Sequence, residues 1–203
     1  VTTTRLPTFA GPLLKSIYSC GRVLYVKDYG VRDVVCAVLE VTGGRIVGLK
    51  KLTKLLFLTQ YVIYKDAASG QVKAVKYLYG GKPITRAEFY IWIFGPMSNE
   101  VYDAVEELES EGVVDISGDL NAVVIILKGE RAPEVPELVR RRISDVVRKY
   151  GGRKGWELER LVKRALGLHI EERRDEYLGY YVDDYLRAEG FELETRDLAQ
   201  WEG

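Results

Sequence analysis

Histidine, cysteine and methionine are nearly absent from this 203-residue sequence. The single histidine is His169, and the two cysteines are Cys20 and Cys36. A four-cysteine zinc site, a disulfide scaffold and a Ser-His-Asp triad each need more of these side chains than the chain contains. One bridge between the two cysteines stays open, because intracellular proteins of hyperthermophiles do contain disulfides.

Other sequence signals of enzymes are missing as well. The chain has no Gly-rich phosphate loop of the P-loop or dinucleotide type. None of the thirteen lysines follows an acidic residue by two positions, which excludes the common acid-x-lysine spacing of nucleases. Adjacent residues such as Asp183 and Asp184 point about 100° apart on a helix, so we interpret them as part of a solvated face. The sequence predicts a protein that is not an enzyme and that binds no metal or cofactor.

Long apolar runs are also missing. Runs such as Val34–Leu39 and Leu55–Leu58 are far short of the roughly 18–20 residues that a membrane-spanning helix needs. The segment Val1–Pro7 lacks the apolar stretch that is typical of a secretion signal. We therefore expect a cytoplasmic protein without membrane contacts.

Charge is balanced overall, with 30 basic and 30 acidic side chains, but it is unevenly distributed along the chain. Residues 1–97 contain 14 basic and 5 acidic side chains, residues 98–138 contain 2 and 11, residues 139–164 contain 10 and 3, and residues 165–203 contain 4 and 11. Blocks of alternating sign predict separate basic and acidic surfaces, which favour different partners.

The first two thirds of the chain show the pattern of a winged helix. Apolar periodicity predicts helices over Asp33–Val41, Gly48–Lys65 and Asn99–Glu111, the last with Ser98 as its N-cap. Extended segments are predicted at Ile17–Val26, Val72–Tyr79, Val113–Ser117 and Ala122–Leu127, and Phe89–Phe94 is either a short buried strand or a helix start. Three helices followed by a hairpin is the winged-helix order, a variant of helix-turn-helix.

The last third is predicted to be helical. Helices are expected at Glu137–Tyr150, Trp156–Leu166 and Asp175–Glu189, after a Pro-containing linker at Arg131–Pro136. The predicted fold is therefore α+β, with a winged-helix domain at 1–130 and a helical extension at 137–203. We expect the extension to pack on the winged helix or on a second copy of the chain in a homodimer.

Several motifs resemble those of two related prokaryotic families. Gly44–Leu58, Phe94–Asp103 and Leu108–Val113 are similar to the YwgA-like family, with its Leu-x-Lys-Leu helix and its Gly-Pro-x-Ser turn. Gly81-Lys82-Pro83 and Val101-Tyr102 resemble the Panacea domain of antitoxins. The resemblance covers residues 33–127 and implies a non-enzymatic winged-helix protein.

Clustered basic residues indicate a surface for DNA, because each phosphate that a cation neutralises releases a counterion. The candidates for nucleic-acid binding are Lys50, Lys51, Lys54, Arg140, Arg141, Arg142, Arg148, Lys149, Arg153 and Lys154. The alternative is an ion-pair surface of the kind found in heat-adapted proteins.

The third predicted helix has the opposite charge. Its outer face has acids only, and the candidates for binding a basic protein partner are Glu100, Asp103, Glu106, Glu107 and Glu109, with Glu111 at its end. In an ordinary winged helix this helix enters the major groove, where such a face would be repelled by phosphates. We therefore expect DNA to meet the basic clusters instead, with an adaptor that docks a basic partner as the alternative. The acidic face is also expected to fold against Arg140–Lys154, within one chain or across a dimer.

Scarcity of thermolabile residues predicts high thermal stability. The chain has one Met, two Asn and three Gln. We expect calorimetry to give a melting temperature above the roughly 45–65 °C of mesophilic domains. A midpoint inside that range would contradict the prediction.

Overall fold

The computed structural model describes residues 15–19, 22–26, 28–118, 123–129 and 135–201 and has a mixed α+β architecture. The described helices are α1 (Val31–Val41), α2 (Leu49–Gln60), α3 (Asn99–Ser110), α4 (Glu137–Tyr150), α5 (Gly155–Ala165), α6 (Glu171–Glu176) and α7 (Val182–Ala188), with a 3-10 turn at Leu198–Trp201. The strands are β1 (Lys15–Ser19), β2 (Arg22–Val26), β3 (Arg45–Val47), β4 (Tyr61–Lys65), β5 (Val72–Tyr79), β6 (Lys82–Pro83), β7 (Tyr90–Trp92), β8 (Gly95–Met97), β9 (Val114–Ser117), β10 (Val124–Leu127) and β11 (Glu192–Asp197).

One antiparallel sheet has the strand order β3-β10-β9. Its central residue Ile125 lies opposite Ile46 on β3 and Ile116 on β9, and the first two are buried. Beside it, α1 packs against α3 and α4. The hairpin predicted from the strand-like runs at 113–117 and 122–127 is confirmed, although residues 119–122 between β9 and β10 lie outside the described part.

A second sheet combines distant parts of the chain in the order β11-β5-β4, with β6 also paired to β5. β4 runs antiparallel to β5, whereas β11, from the end of the chain, runs parallel to β5 and places Leu193 beside Ala74. No strand was predicted at 192–197. Its alternation of charged residues gives little hydrophobic signal, and pairing with β5 decides its conformation.

The core continues from α1 to the C-terminal helices. Fully buried side chains of α2, α4 and α5, among them Leu52, Leu55, Val139, Ile143 and Leu158, belong to one hydrophobic cluster. The helices after residue 137 are therefore packed on the elements before residue 130. Of the linker predicted at 131–136, the structure describes only the last two residues. Cys36 is buried, and Cys20, its candidate disulfide partner, lies outside the described residues.

The helix predicted at Gly48–Lys65 is too long. α2 ends at Gln60, and Tyr61–Lys65 forms a strand against β5. Aromatic and β-branched side chains favour a strand there. In addition, the Arg142 guanidinium donates to the carbonyls of Leu58 and Thr59, which lack intrahelical N–H donors because the helix ends at Gln60.

Two further expectations need correction. The helix predicted at Asp175–Glu189 is interrupted between α6 and α7, where Gly179 has a φ of +86° that favours glycine. The Gly179 N–H donates to the Ile91 carbonyl at 2.9 Å, and the Ile91 N–H donates to the Tyr180 carbonyl at 2.8 Å. The segment Phe89–Phe94 is a strand only at β7, and it is buried only in part, since Trp92, Ile93 and Phe94 are exposed.

Within the described part of the chain, no helix has both the length and the apolar composition needed to cross a membrane.

Candidate functional site

The lysines of α2 point toward other parts of the protein. Lys50 Nζ lies 2.8 Å from Glu159 of α5 and 3.8 Å from the centre of the Phe94 ring. Lys51 Nζ donates to the Gly151 carbonyl at 2.5 Å. Lys54 is only 2% exposed, and its Nζ donates to the Pro96 carbonyl at 2.5 Å. These lysines hold α5 and β8 against α2, and the structure places Lys54 out of reach of a phosphate.

The arginine triplet of α4, Arg140, Arg141 and Arg142, has three different sets of contacts. Arg140 pairs with Glu40 of α1 at 3.0 Å. Arg142 is bonded to the end of α2 and lies 4.3 Å from the centre of the Tyr77 ring. Burial lowers the pKa of Arg142. Arg141 alone projects into solvent, with Glu137 one turn earlier as its partner at 2.9 Å. Only one member of the triplet is therefore well placed to meet an outside ligand.

A second set of exposed cations follows the triplet along the chain. From the end of α4 through α5 it consists of Arg148, Lys149, Arg153, Lys154, Arg160 and Arg164, which we call the α4–α5 basic surface. Arg148 pairs with Asp145 at 2.5 Å, and both side chains are exposed. Exposed ion pairs contribute only about 0–1 kcal/mol to stability. These cations are therefore available to an outside anion.

Arg160 and Arg164 were not among the residues predicted from sequence. They follow Trp156 at intervals of four, a spacing that places all three on one face of α5. Trp156 is 54% exposed, and the Arg160 guanidinium lies 5.0 Å from the centre of its ring. The four-residue spacing was visible in the sequence, but only the packing of Leu158 and Val162 identifies this face as the outer one.

All six acids of α3 and its C-cap are exposed, as their helical spacing predicts. Arg32 of α1 pairs with Glu111 and lies 3.6 Å from Glu107. Among the described residues, no ion pair joins α3 to α4, because Arg140, Arg141 and Arg148 pair with Glu40, Glu137 and Asp145. The expected folding of the acidic face onto Arg140–Lys154 within one chain is therefore wrong.

Asp183 has a structural role that the sequence analysis missed. Its carboxylate accepts from the Tyr61 hydroxyl at 2.7 Å and from Lys76 Nζ at 2.7 Å. Burial raises the pKa of Tyr61, with the Asp183 charge as the next cause. The three groups satisfy one another and fasten α7 to β4 and β5, so Asp183 is not part of a solvated face as its neighbour Asp184 is.

Among the described residues, no three His, Cys, Asp or Glu side chains form a group that could hold a metal ion. His169 is exposed at the end of the turn that follows α5.

Lys54 is predicted to make stability depend on pH. Burial lowers its pKa from 10.5 to about 7, with Lys50 and Lys163 lowering it further and Glu159 raising it. Between these values the unfolded chain binds a proton that the folded chain has released, so stability rises with pH from about 7 to about 10. Lys54→Met should raise the free energy of unfolding at neutral pH by about 2 kcal/mol and remove most of this rise.

Urea unfolding at about pH 7 and about pH 9.5 measures both effects. Lys149→Met, at an exposed lysine, is the matched control and should keep the wild-type dependence. If the free energy of unfolding of Lys54→Met rises with pH as steeply as that of the wild type, the buried Lys54 side chain is not the cause of the pH dependence.

Neither a scan against protein-family models nor searches of curated proteins and of solved structures found a match for this chain. The likeness to the YwgA-like and Panacea families therefore stays a prediction, and inference about function depends on the chain's own residues.

Proposed function

We propose that this protein is a non-enzymatic winged-helix regulator that binds DNA through the α4–α5 basic surface rather than through α3. The observation that carries the proposal is the set of six exposed cations between Arg148 and Arg164, whereas other predicted candidates, such as Lys51, Lys54 and Arg142, are hydrogen-bonded within the protein.

The order of elements supports the winged-helix assignment. Leaving aside the segment 61–97, the chain runs α1, β3, α2, α3, β9 and β10, and the three strands form one sheet. This corresponds to three helices and a β-hairpin wing, with a first short strand between the first two helices. The segment between α2 and α3, which contains β4 to β8, is an insertion into that order.

The electrostatics of α3 oppose its use as a DNA-reading helix. Its exposed side chains include Glu100, Asp103 and Glu106, and its nearest bound cation, Arg32, lies at the other end with Glu111. Insertion into the major groove would bring these carboxylates close to phosphates. The α4–α5 basic surface has the opposite sign, and Trp156 adds an aromatic face that can contact sugars or bases.

The test removes three cations that have no structural partner in the core. In the triple variant Arg153→Ala, Arg160→Ala, Arg164→Ala, binding to a labelled duplex should weaken by about tenfold or more and to a similar extent for unrelated sequences. The salt dependence, measured by anisotropy from about 50 to 200 mM salt, should become less steep by about 0.9 per lost phosphate contact.

The control removes arginines elsewhere on the surface. Arg187→Ala with Arg196→Ala changes two exposed residues outside α4 and α5 and should alter affinity by less than about twofold. Unchanged affinity and salt slope in the triple variant, or an equal loss in the control, would contradict the proposal.

A second candidate is an adaptor that docks a basic protein through α3. The observation in its favour is a pair of tyrosines, one half-buried and one exposed, near the start of the helix. Tyr90 forms a β-bridge with Tyr181, which is 56% exposed, and the Tyr90 hydroxyl donates to Asn99 Oδ1 at 2.8 Å. Arginine both pairs with carboxylates and stacks on aromatic rings, so acids beside aromatics favour an arginine-rich partner.

Charge removal on α3 tests this candidate. The variant Glu100→Gln, Asp103→Asn, Glu106→Gln should bind an oligoarginine peptide at least about fivefold more weakly than the wild type in calorimetry. The matched control, Glu171→Gln with Glu172→Gln and Glu176→Gln on α6, should lose less than about twofold. Equal losses in both variants would mean that α3 attracts the peptide only through general charge.

A further inference from the structure

A cavity of about 510 Å³ opens between β4, α4 and α5. The ends of α2 and α5 give it an apolar lining, with Leu58, Leu161 and Ala165 among the residues. Tyr64 and Tyr150 lie at its margins with exposed or half-exposed side chains. Cavities that bind small molecules have volumes of about 300–1,000 Å³ and a mostly apolar lining with a few polar groups, and this one fits both criteria.

The charged groups of the cavity are mostly cations. Arg142, Arg148 and Lys149 line it, together with one carboxylate, Asp145, which already pairs with Arg148. Arg142 Nε and Nη2 donate to the neutral carbonyls of Thr59 and Leu58, and within the described part of the chain no carboxylate forms an ion pair with it. A half-buried guanidinium whose hydrogen bonds go to neutral carbonyls, and whose carboxylate neighbour Asp145 already pairs with Arg148, favours a further anion nearby.

The wall along β4 supplies backbone groups as well. The four consecutive residues Tyr61–Tyr64 all line the cavity, although successive side chains of a strand point to opposite faces. The cavity therefore follows the edge of the strand. Among the described strands, β4 pairs only with β5, so alternate peptide groups on its other edge face this space.

We propose that this cavity binds a small amphipathic carboxylate. The carboxylate lies near Lys149 and Arg142, and the apolar chain lies against Leu161 and Ala165. Net positive charge at the opening disfavours cationic amphiphiles, and the apolar lining disfavours small inorganic anions. The proposal does not depend on DNA binding, because it concerns the inner wall of the cavity and is tested with the protein alone.

Three ligands with one chain length separate charge from apolar contact. Octanoate, 1-octanol and octylammonium are titrated into the ¹⁵N-labelled protein, and amide shifts are followed by NMR. Octanoate should bind saturably with shifts centred on residues 61–64 and 161–165, and about tenfold more tightly than octylammonium. If either of the other two ligands binds as tightly as octanoate, or the octanoate shifts lie elsewhere, the proposal is wrong.

Variants locate the site independently. Ala165→Phe fills the cavity and should weaken octanoate binding by about tenfold or more, with the amide spectrum as the check that the chain is folded. Lys149→Gln removes a cation that lines the cavity and should weaken binding by about threefold, whereas Arg153→Gln removes an exposed cation outside it and should have no effect. Equal affinities of the two charge variants would overturn the proposal, and this pair decides the matter even if Ala165→Phe does not fold.

Discussion

The interaction on which the rest of the structure depends is the contact of the Arg142 side chain with the end of α2. Its guanidinium donates to the carbonyls of Leu58 and Thr59 and stacks on Tyr77, so a single side chain from α4 joins α2 to β5. The terminal carbonyls of a helix need donors, and Arg142 supplies two of them where the chain turns from α2 into β4. The same contact places a charged group at the cavity between β4, α4 and α5, where its hydrogen bonds go to the neutral carbonyls of Leu58 and Thr59.

Other cations of the protein also join elements of the fold. Lys50, Lys51 and Lys54 join α2 to its neighbours, and Arg140 joins α4 to α1. Cations used in this way lose conformational freedom and hydration, and they regain hydrogen bonds to carbonyls or carboxylates. Within residues 139–164, the cations left on the outside are Arg141 and those of the α4–α5 basic surface. A basic block in the sequence thus contains two populations, and only the outer one can attract a polyanion.

The cavity and the α4–α5 basic surface share Arg148 and Lys149. An anion held in the cavity would reduce the positive potential that these two residues present to solvent. The two proposed sites are therefore adjacent. The cavity combines these two cations with apolar side chains of α5, whereas the α4–α5 basic surface combines them with Arg160 and Arg164.

Much of the helical structure could be predicted from the sequence alone. The apolar spacing in 137–150 yields the bounds of α4 correctly, and the two strand-like runs at 113–117 and 122–127 identify the hairpin of β9 and β10. These patterns are local, because a helix or a hairpin needs only residues that are close in the chain. The exposed acids of α3 follow from the same periodicity.

What the sequence could not decide concerns contacts between distant residues. The end of α2 at Gln60 depends on Arg142 and on pairing with β5, and β11 is a strand because β5 accepts it. Lys54 and Arg153 look alike in a count of charge, yet one is buried under β8 and the other is exposed. Burial is a property of the assembled core rather than of the local pattern, so only the tertiary structure separates cations that hold the fold together from those that can bind a ligand.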